Sequence, residues 1–283
     1  MTSDFPRRIV CLTEESTEVL YLLGEEHRIV GVSGFTARPA EARQKPKVSA
    51  FTTAKFDRIV ELDPDLIIGF SNLQADIARE LIARGRNVLV FNQRSVEEIL
   101  EMVATLARIV GAESRGQALV KQLSSGLAAI AESARHFPRR PRVFFEEWPD
   151  PLISGIRWVD ELVEIAGGIP LFPDLRCQHD AKNRIVDAAA VRECDPEMVI
   201  ASWCGKKVNK QTIRSRKGWG SIPVYEIKST YILQPGPAAL TEGVRQLHAL
   251  IAAVIGCGVP VALKPAEKTD PDLKGFETWT PAR

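Results

Sequence analysis

One segment, Glu113 to Phe137, constrains the fold of this chain more than any other, because its sequence predicts a single long helix. Gly111 precedes the segment, and Pro138, which cannot continue a helix, ends it. Four apolar residues recur at i, i+4, i+8 and i+11 and share one helical face, namely Leu119, Leu123, Leu127 and Ile130. About 24 residues give a helix of roughly 36 Å. We interpret it as a spine helix that joins two folded blocks; the alternative is a surface helix of one domain.

The same order of strand and helix patterns is found on both sides of the predicted spine helix. Apolar runs typical of strands lie at 8–12, 28–32, 66–70 and 87–91 before it and at 142–148, 194–202 and 222–228 after it. Helical patterns separate these runs, an alternation typical of parallel sheets covered by helices. The predicted fold is α/β, with two similar lobes whose parallel sheets are covered by helices and which are joined by the one long spine helix.

Length and periodicity set the predicted domain boundaries. A chain of 283 residues is at the upper limit for a single hydrophobic core, which favours two lobes. We predict an N-terminal α/β lobe at 1–111, the spine helix at 112–138 and a C-terminal α/β lobe at 139–256. Residues 257–283 are rich in Pro, Lys and Asp without periodicity, so we expect a tail that lies on the surface or is partly disordered.

Charge and hydropathy exclude several classes of partner. The formal net charge is +1 and no Lys/Arg run exceeds a pair, so no nucleic-acid-binding face is expected. No apolar run approaches 18 residues, so we expect no membrane insertion. The first residues, MTSDFPRRIVCL, lack the pattern of a secretory leader, which predicts a cytoplasmic location, or a periplasmic one if a leader was removed.

Metal sites and common catalytic motifs are not predicted. The five cysteines are scattered without a CxxC pair, which is typical of reduced thiols. The four histidines lack metal-ligand spacing, and His136 and His248 fall on predicted helix surfaces. A Walker A loop, a GxSxG elbow and a GxGxxG turn are also missing, so we expect no metal, no required cofactor and no enzyme of those classes.

Three motifs occur in the order seen in one family of binding proteins. They are DRIVELDPDLIIG at 57–69, LISGIRWVDELVEIAGG at 152–168 and DPEMVI at 195–200. With these motifs, residues 7–255 resemble the substrate-binding proteins of cobalamin and iron-siderophore ABC importers, most closely the cobalamin-binding proteins. The resemblance implies a ligand clamped between two lobes by loops at the carboxyl ends of parallel strands. Cobalamin or another corrinoid is then the bound ligand.

The resemblance also implies docking on an ABC permease through one acidic residue on each lobe. Asp57 matches this position in the first lobe, seven residues before the proline of the DP motif. In the second lobe the same count back from Pro196 reaches Ala189, and Asp187 lies two residues further away. The second lobe therefore departs from the family pattern.

Loops that follow the predicted strands hold the residues that we predict to bind the ligand. They are Glu14, Glu15, Phe35, Phe51, Phe70, Gln93, Glu146, Glu147, Trp148, Arg157, Trp158, Trp203, Cys204, Lys206 and Gln234. Aromatic side chains beside a few polar groups suit a large, planar, amphipathic ligand such as a corrinoid or another tetrapyrrole. The alternative for each tryptophan is packing within its own lobe.

The polar members of this set have more than one interpretation. The pairs at 14–15 and 146–147 could hold a cation, hydrogen-bond to corrinoid amides or shift one another's pKa values, or they could simply stabilise helix N-termini. Cys204 is either a nucleophile or soft ligand or an inert small residue. Lys206 meets a phosphate or carboxylate of the ligand, or solvent.

Three functions are compatible with these features. The first is a cytoplasmic ligand-binding protein with a periplasmic-binding-protein fold that clamps a cobalamin-like ligand between its lobes. The second is the substrate-binding subunit of an ABC importer for cobalamin or iron-siderophore, with an ABC permease as partner. The third is an enzyme that acts on a tetrapyrrole through the cleft carboxylates and Cys204. We favour the first, a small-molecule binder that is not an enzyme.

Overall fold

The first unit contains six short strands in the computed structural model, which describes residues 5–266. The strands are β1 (Ile9–Cys11), β2 (Ile29–Ser33), β3 (Lys47–Ala50), β4 (Thr53–Ala54), β5 (Leu66–Phe70) and β6 (Val88–Phe91). Their order is β4-β3-β2-β1-β5-β6, and all neighbours are parallel except β3 and β4. The helices are α1 (Glu14–Leu22), α2 (Phe56–Glu61), α3 (Ala75–Ala83) and α4 (Val96–Ile109). Buried side chains of β1, β5, α2 and α3 form a core, among them Val10, Ile59, Ile67 and Leu81.

Helix α5 (Glu113–Arg135) is the predicted spine helix. All four residues of its predicted apolar stripe, Leu119, Leu123, Leu127 and Ile130, are buried, which confirms the helical periodicity. The helix ends at Arg135 rather than at Phe137, whose backbone N–H bonds to Ala134 O at 3.1 Å. Residues up to Leu123 belong to the first unit, and those from Ser124 onward belong to the second.

We expect Ile130→Val to lower the free energy of unfolding by about 0.5 to 1.5 kcal/mol, because the variant leaves a small cavity beside a fully buried side chain. Urea denaturation followed by circular dichroism measures the loss. Ile82→Val is the matched control, since Ile82 is an exposed residue of helix α3. Equal losses in both variants would contradict a packed stripe on α5.

The second unit contains a five-stranded sheet. Its strands are β7 (Arg142–Pro149), β8 (Leu152–Ser154), β9 (Ile169–Pro170), β10 (Met198–Ala201) and β11 (Val224–Glu226). Strand β10 pairs in parallel with both β7 and β11, β8 is antiparallel to β7, and β9 pairs with β7. The helices are α6 (Arg157–Ile165), α7 (Ala188–Glu193), α8 (Lys210–Arg214), α9 (Ser229–Ile232) and α10 (Val244–Val254), the last preceded by a π-helical turn at Ala239–Gly243.

Several short elements differ from the sequence-based expectation. Strands β3 and β4 lie where the sequence predicts no strand, because KVSA contains too few apolar residues to mark one. Strand β8 returns antiparallel beside β7 within a sheet that was expected to be parallel. In the predicted tail, Val261–Leu263 forms a 3₁₀ turn, and residues 267–283 lie outside the described residues.

The two units also take short segments from distant parts of the chain. The first unit includes Gln234–Pro237, and the second includes Arg94–Val96. The predicted boundaries at 111, 138 and 256 stay predictions. Among residues 5–266, no helix combines the length and the apolar character needed to cross a membrane.

Candidate functional site

Two carboxyl groups lie where strand β1 leads into helix α1. Glu14 and Glu15 form its first turn, and Glu15 is only 3% exposed. Thr13 Oγ1 donates a hydrogen bond to Glu15 Oε1 at 2.5 Å. Burial raises the pKa of Glu15 to about 8 and that of Glu14 to about 7, and the charge of Glu14 adds to the shift of Glu15. Glu15 is therefore mostly protonated near neutral pH, which favours a hydrogen-bonding role for its carboxyl group over a cation site.

The segment Gln234–Pro237 packs against the same edge of the first unit. A Cβ at Gly236 would come within 2.6 Å of Glu15 Cβ, so a glycine is needed for this close approach. Pro235 O accepts a hydrogen bond from Gln93 Nε2 at 3.0 Å, and Gln93 follows strand β6. The structure thus brings Glu15 and Gln93 to one four-residue segment, in which Gln234 is half-buried.

Three predicted phenylalanines lie at the end of a strand of the first sheet or just after one. Phe35 is exposed, whereas Phe51 and Phe70 pack with ring centroids 6.4 Å apart. Gln74, which is not among the predicted ligand-binding residues, bonds to the backbone of both: its Nε2 donates to Phe51 O at 2.7 Å and its Oε1 accepts from Phe70 N at 2.9 Å. No motif in the sequence distinguishes this glutamine from an ordinary helix residue.

A pocket of about 220 Å³ opens beside the end of strand β6. Residues 91–93 form one wall, and the α4 residues Glu98, Glu101, Met102 and Thr105 form the other. Its lining therefore combines apolar side chains with amide and carboxyl groups, a composition that suits the polar edge of an amphipathic ligand.

In the second unit, two predicted tryptophans and a lysine form a cluster where β7 and β10 end. Lys206 Nζ lies 4.2 Å from the ring centroid of Trp148 and 5.5 Å from that of Trp203. Trp148 is half-buried and its Nε1 donates to Asp150 O at 3.0 Å, while Trp203 is buried. We call Trp148, Trp203 and Lys206 the tryptophan surface. The exposed Lys206 ammonium and the two indole rings form a cation–π arrangement.

Glu146 lies beneath this surface and is fully buried. Arg216 Nη2 donates to its Oε1 at 3.2 Å, a second bond runs from Arg216 Nη1 to Oε2, and Trp203 Nε1 also donates to Oε1 at 3.2 Å. Burial raises the pKa of Glu146, and the Arg216 guanidinium opposes that shift. Glu146 therefore anchors the Trp203 ring from within the unit, and its contacts leave it unsuited to the predicted cation site.

Glu147 is paired as well, with Arg184. The guanidinium donates to both carboxylate oxygens, at 2.6 and 3.3 Å, and also to Ser154 O. Arg184 is 1% exposed, so this ion pair is a largely buried, structural contact of the second unit. Neither carboxylate of the second predicted pair is left for a metal ion, and the described residues contain no cluster of three or more potential metal-binding side chains.

Two further predicted residues belong to helix α6. Trp158 is 3% exposed and its Nε1 donates to Ile232 O at 2.9 Å, so its ring packs inside the second unit, as the alternative interpretation had it. Arg157 Nε donates to Glu161 Oε1 at 2.8 Å, one turn further along the helix. Asp160 of the same helix was not predicted from the sequence. It is buried, and this burial raises its pKa to about 8. A Cβ on Gly155 would lie 2.3 Å from Asp160 Oδ1.

The remaining expectations concern exposed groups and one histidine. The side chain of Asp57 is 92% exposed, and Arg84 Nη1 donates to it at 2.7 Å. Asp187 instead caps helix α7 by accepting from Ala189 N. Cys204 is exposed. The expected surface position of His248 is wrong: the ring is buried, stacks on Phe137 and bonds to Ala166 O and Ser133 Oγ.

Comparison with known proteins gives one family model and several relatives. The model described as "Periplasmic binding protein" matches residues 9–235. An uncharacterised ABC transporter substrate-binding lipoprotein from Bacillus subtilis is 26% identical over 265 residues, which cover 86% of this chain and 79% of the relative. A vitamin B12-binding protein from Vibrio parahaemolyticus is 23% identical over 252 residues, 85% of this chain and 88% of that protein.

Solved structures share the fold. A periplasmic heme-binding protein from Pseudomonas aeruginosa superimposes with a TM-score of 0.74 at 19% sequence identity. The match covers 87% of this chain and 93% of that structure. The agreement extends over two α/β units with predominantly parallel sheets, which confirms the predicted fold class.

Proposed function

This chain belongs to the periplasmic binding protein family, and from that premise we propose that it is the substrate-binding subunit of an ABC importer for a corrinoid or a similar large planar ligand. A relative named as a vitamin B12-binding protein supports this ligand class. The predicted cytoplasmic location has no support among the relatives, one of which is named a lipoprotein. We therefore propose a location outside the cytoplasm. The enzyme alternative has no support either, because these relatives are named for binding.

The tryptophan surface is the observation on which the ligand class depends. A half-buried indole offers an apolar face, and buried Trp203 is fixed by its bond to Glu146. A planar ring can stack on Trp148 once Lys206 moves aside, and the displaced ammonium can then pair with an anionic group of the ligand. The Lys206 side chain is exposed and sits on a loop containing Gly205 at φ +75°, so little packing opposes this movement.

We expect Trp148→Ala to weaken the binding of cyanocobalamin by roughly 1 to 3 kcal/mol, because the variant loses the stacking face. Quenching of tryptophan fluorescence during titration measures the dissociation constant, with absorbance titration as a check in the variant. Ile169→Ala is the matched control, since Ile169 is an exposed apolar residue of β9, which pairs with the opposite end of β7. Unchanged affinity in Trp148→Ala would remove this residue from the site.

An ABC permease is the proposed macromolecular partner. Asp57 supports this part of the proposal, because its carboxylate is almost fully exposed at the start of helix α2 and, although bonded to Arg84, can also reach a basic group on another protein. In the second unit Asp187 is exposed, and one of its carboxylate oxygens caps helix α7. Co-purification of a tagged permease with wild type but not with Asp57→Ala would support the assignment.

A further inference from the structure

Three buried side-chain oxygens of the first unit have no hydrogen-bond partner within the described part of the chain: Glu15 Oε2, Thr36 Oγ1 and Gln93 Oε1. We consider Glu15 Oε2 and Gln93 Oε1, whose side chains contact the segment at 234–237. Their residues are only 3% and 4% exposed. Buried polar atoms are rarely left unpaired, because each one forfeits its bond to water without replacement. A ligand group that bonds to them would recover this loss.

Both oxygens belong to side chains that flank the same short segment. Gln93 bonds to Pro235 O, and Gly236 packs directly on Glu15 Cβ. Since Pro235 and Gly236 are consecutive, their Cα atoms are only about 3.8 Å apart. Gln93 also lines the pocket at the end of strand β6, so a group that enters the pocket comes next to this residue. We call Glu15, Gln93 and the 234–237 segment the amide recess.

The chemistry of the two oxygens differs. Gln93 Nε2 donates to a carbonyl, and this bond identifies Oε1 as the oxygen of the amide, which can only accept. Glu15 Oε1 accepts from the Thr13 hydroxyl, so the proton of the buried acid resides on Oε2, which becomes a donor. The other carboxyl groups that act on Glu15 are Glu14 and Glu18, and both favour this protonated form.

One donor and one acceptor together match a primary carboxamide, which carries N–H groups and a carbonyl oxygen. A carboxylate offers acceptors alone, and an ammonium offers donors alone. We propose that the amide recess binds a primary carboxamide of the ligand and so selects corrinoids with amide side chains over tetrapyrroles with carboxylate side chains. This inference rests on the proposed function, since it assigns one group of the same ligand.

The test compares two corrinoids that differ in their side chains. Dicyanocobinamide presents primary amides, and dicyanocobyrinic acid presents carboxylates on the same ring. We expect wild type to bind the amide form at least about tenfold more tightly, because a site built for hydrogen bonding rejects a group that leaves its atoms unpaired. Gln93→Leu should reduce this preference to within about threefold, whereas Gln122→Leu, the same change on the exposed face of α5, should preserve it.

Variants of Glu15 separate hydrogen bonding from charge repulsion. Glu15→Leu should abolish the preference, and Glu15→Gln should restore it, because glutamine keeps both a donor and an acceptor. Loss of the preference in Glu15→Gln would overturn the inference in favour of repulsion by a charged Glu15. Equal binding of both corrinoids by wild type would overturn the amide recess alone. Binding of neither corrinoid would instead contradict the proposed function, and the recess with it.

Discussion

Replacing Arg216 by methionine should lower the free energy of unfolding by about 3 to 5 kcal/mol, because the change leaves Glu146 buried without its counterion. Glu146 is fully buried and receives two bonds from this guanidinium. The guanidinium also lies 4.9 Å from the ring centroid of Trp219, which packs edge-to-face on Phe144 in the core. One substitution therefore removes an ion pair and a packing contact together. Urea denaturation at neutral pH measures the loss.

Two further variants make this expectation specific. Arg135→Met should cost no more than about 1 kcal/mol, because Arg135 and Glu132 form an exposed pair on helix α5. The double variant Glu146→Leu/Arg216→Met should recover much of the lost stability, since it removes the unpaired charge. A loss below 1 kcal/mol for Arg216→Met, or no recovery in the double variant, would show that Glu146 is not a buried, paired carboxylate.

The protein should be more stable towards urea at pH 5 than at pH 8. Burial raises the pKa of Glu15 and of Asp160 to about 8, and that of Glu14 to about 7. A raised carboxyl pKa means that the folded state holds protons which the unfolded state has released. The stabilisation is complete below the pKa of the unfolded chain and is lost as the pH rises towards 8, at about 1.4 kcal/mol per pH unit for each group.

Three further groups with shifted pKa values also affect how stability depends on pH. Burial lowers the pKa of His248, so this residue opposes the trend by favouring unfolding as the pH falls through its range. Glu25 and Glu197 have lowered pKa values, and their contribution is lost only at more acidic pH. Urea midpoints from pH 5 to pH 8 test the balance. Glu15→Gln and Asp160→Asn should each reduce the dependence of the urea midpoint on pH. A midpoint that rises with pH in the wild type, or the same pH dependence in both variants as in the wild type, would contradict the prediction.

The features predictable from sequence are those that repeat along the chain. The stripe from Leu119 to Ile130 has a fixed period, so it identified helix α5 without knowledge of its neighbours. The DP motifs before β5 and β10 likewise marked two buried parallel strands. Strands β3 and β8 were not predicted from the sequence, because they are short and are stabilised by pairing rather than by an apolar run of their own.

The candidate site was harder to predict because its polar groups are paired over long sequence distances. Arg216 meets Glu146 across 70 positions, and Arg184 meets Glu147 across 37. Nothing near either glutamate indicates its partner. The sequence placed these carboxylates in a loop after a strand, whereas both lie within strand β7, and it could not show that each one pairs with a distant arginine. Trp158 was ambiguous as well, because its position at a helix start fits a core residue and a site residue equally well.

Glu15 and Gln93 could be selected as candidates from the sequence, but their spatial relation could not be predicted from it. Both were predicted as ligand-binding residues from their positions after strands β1 and β6. Their relation to one another depends on Pro235 and Gly236, which are more than 140 positions away. The donor and acceptor pattern that we assign to them follows from burial and hydrogen bonding, which no local pattern encodes.

Retention of a corrinoid by the purified protein tests the central claim most directly. The protein is mixed with a modest excess of cyanocobalamin and passed through a desalting column, and the cobalamin that elutes with the protein is measured by absorbance. We expect a roughly equimolar amount to stay bound through the column, and less in Trp148→Ala. Elution of colourless protein, with dicyanocobinamide as well as with cyanocobalamin, would contradict the proposed function.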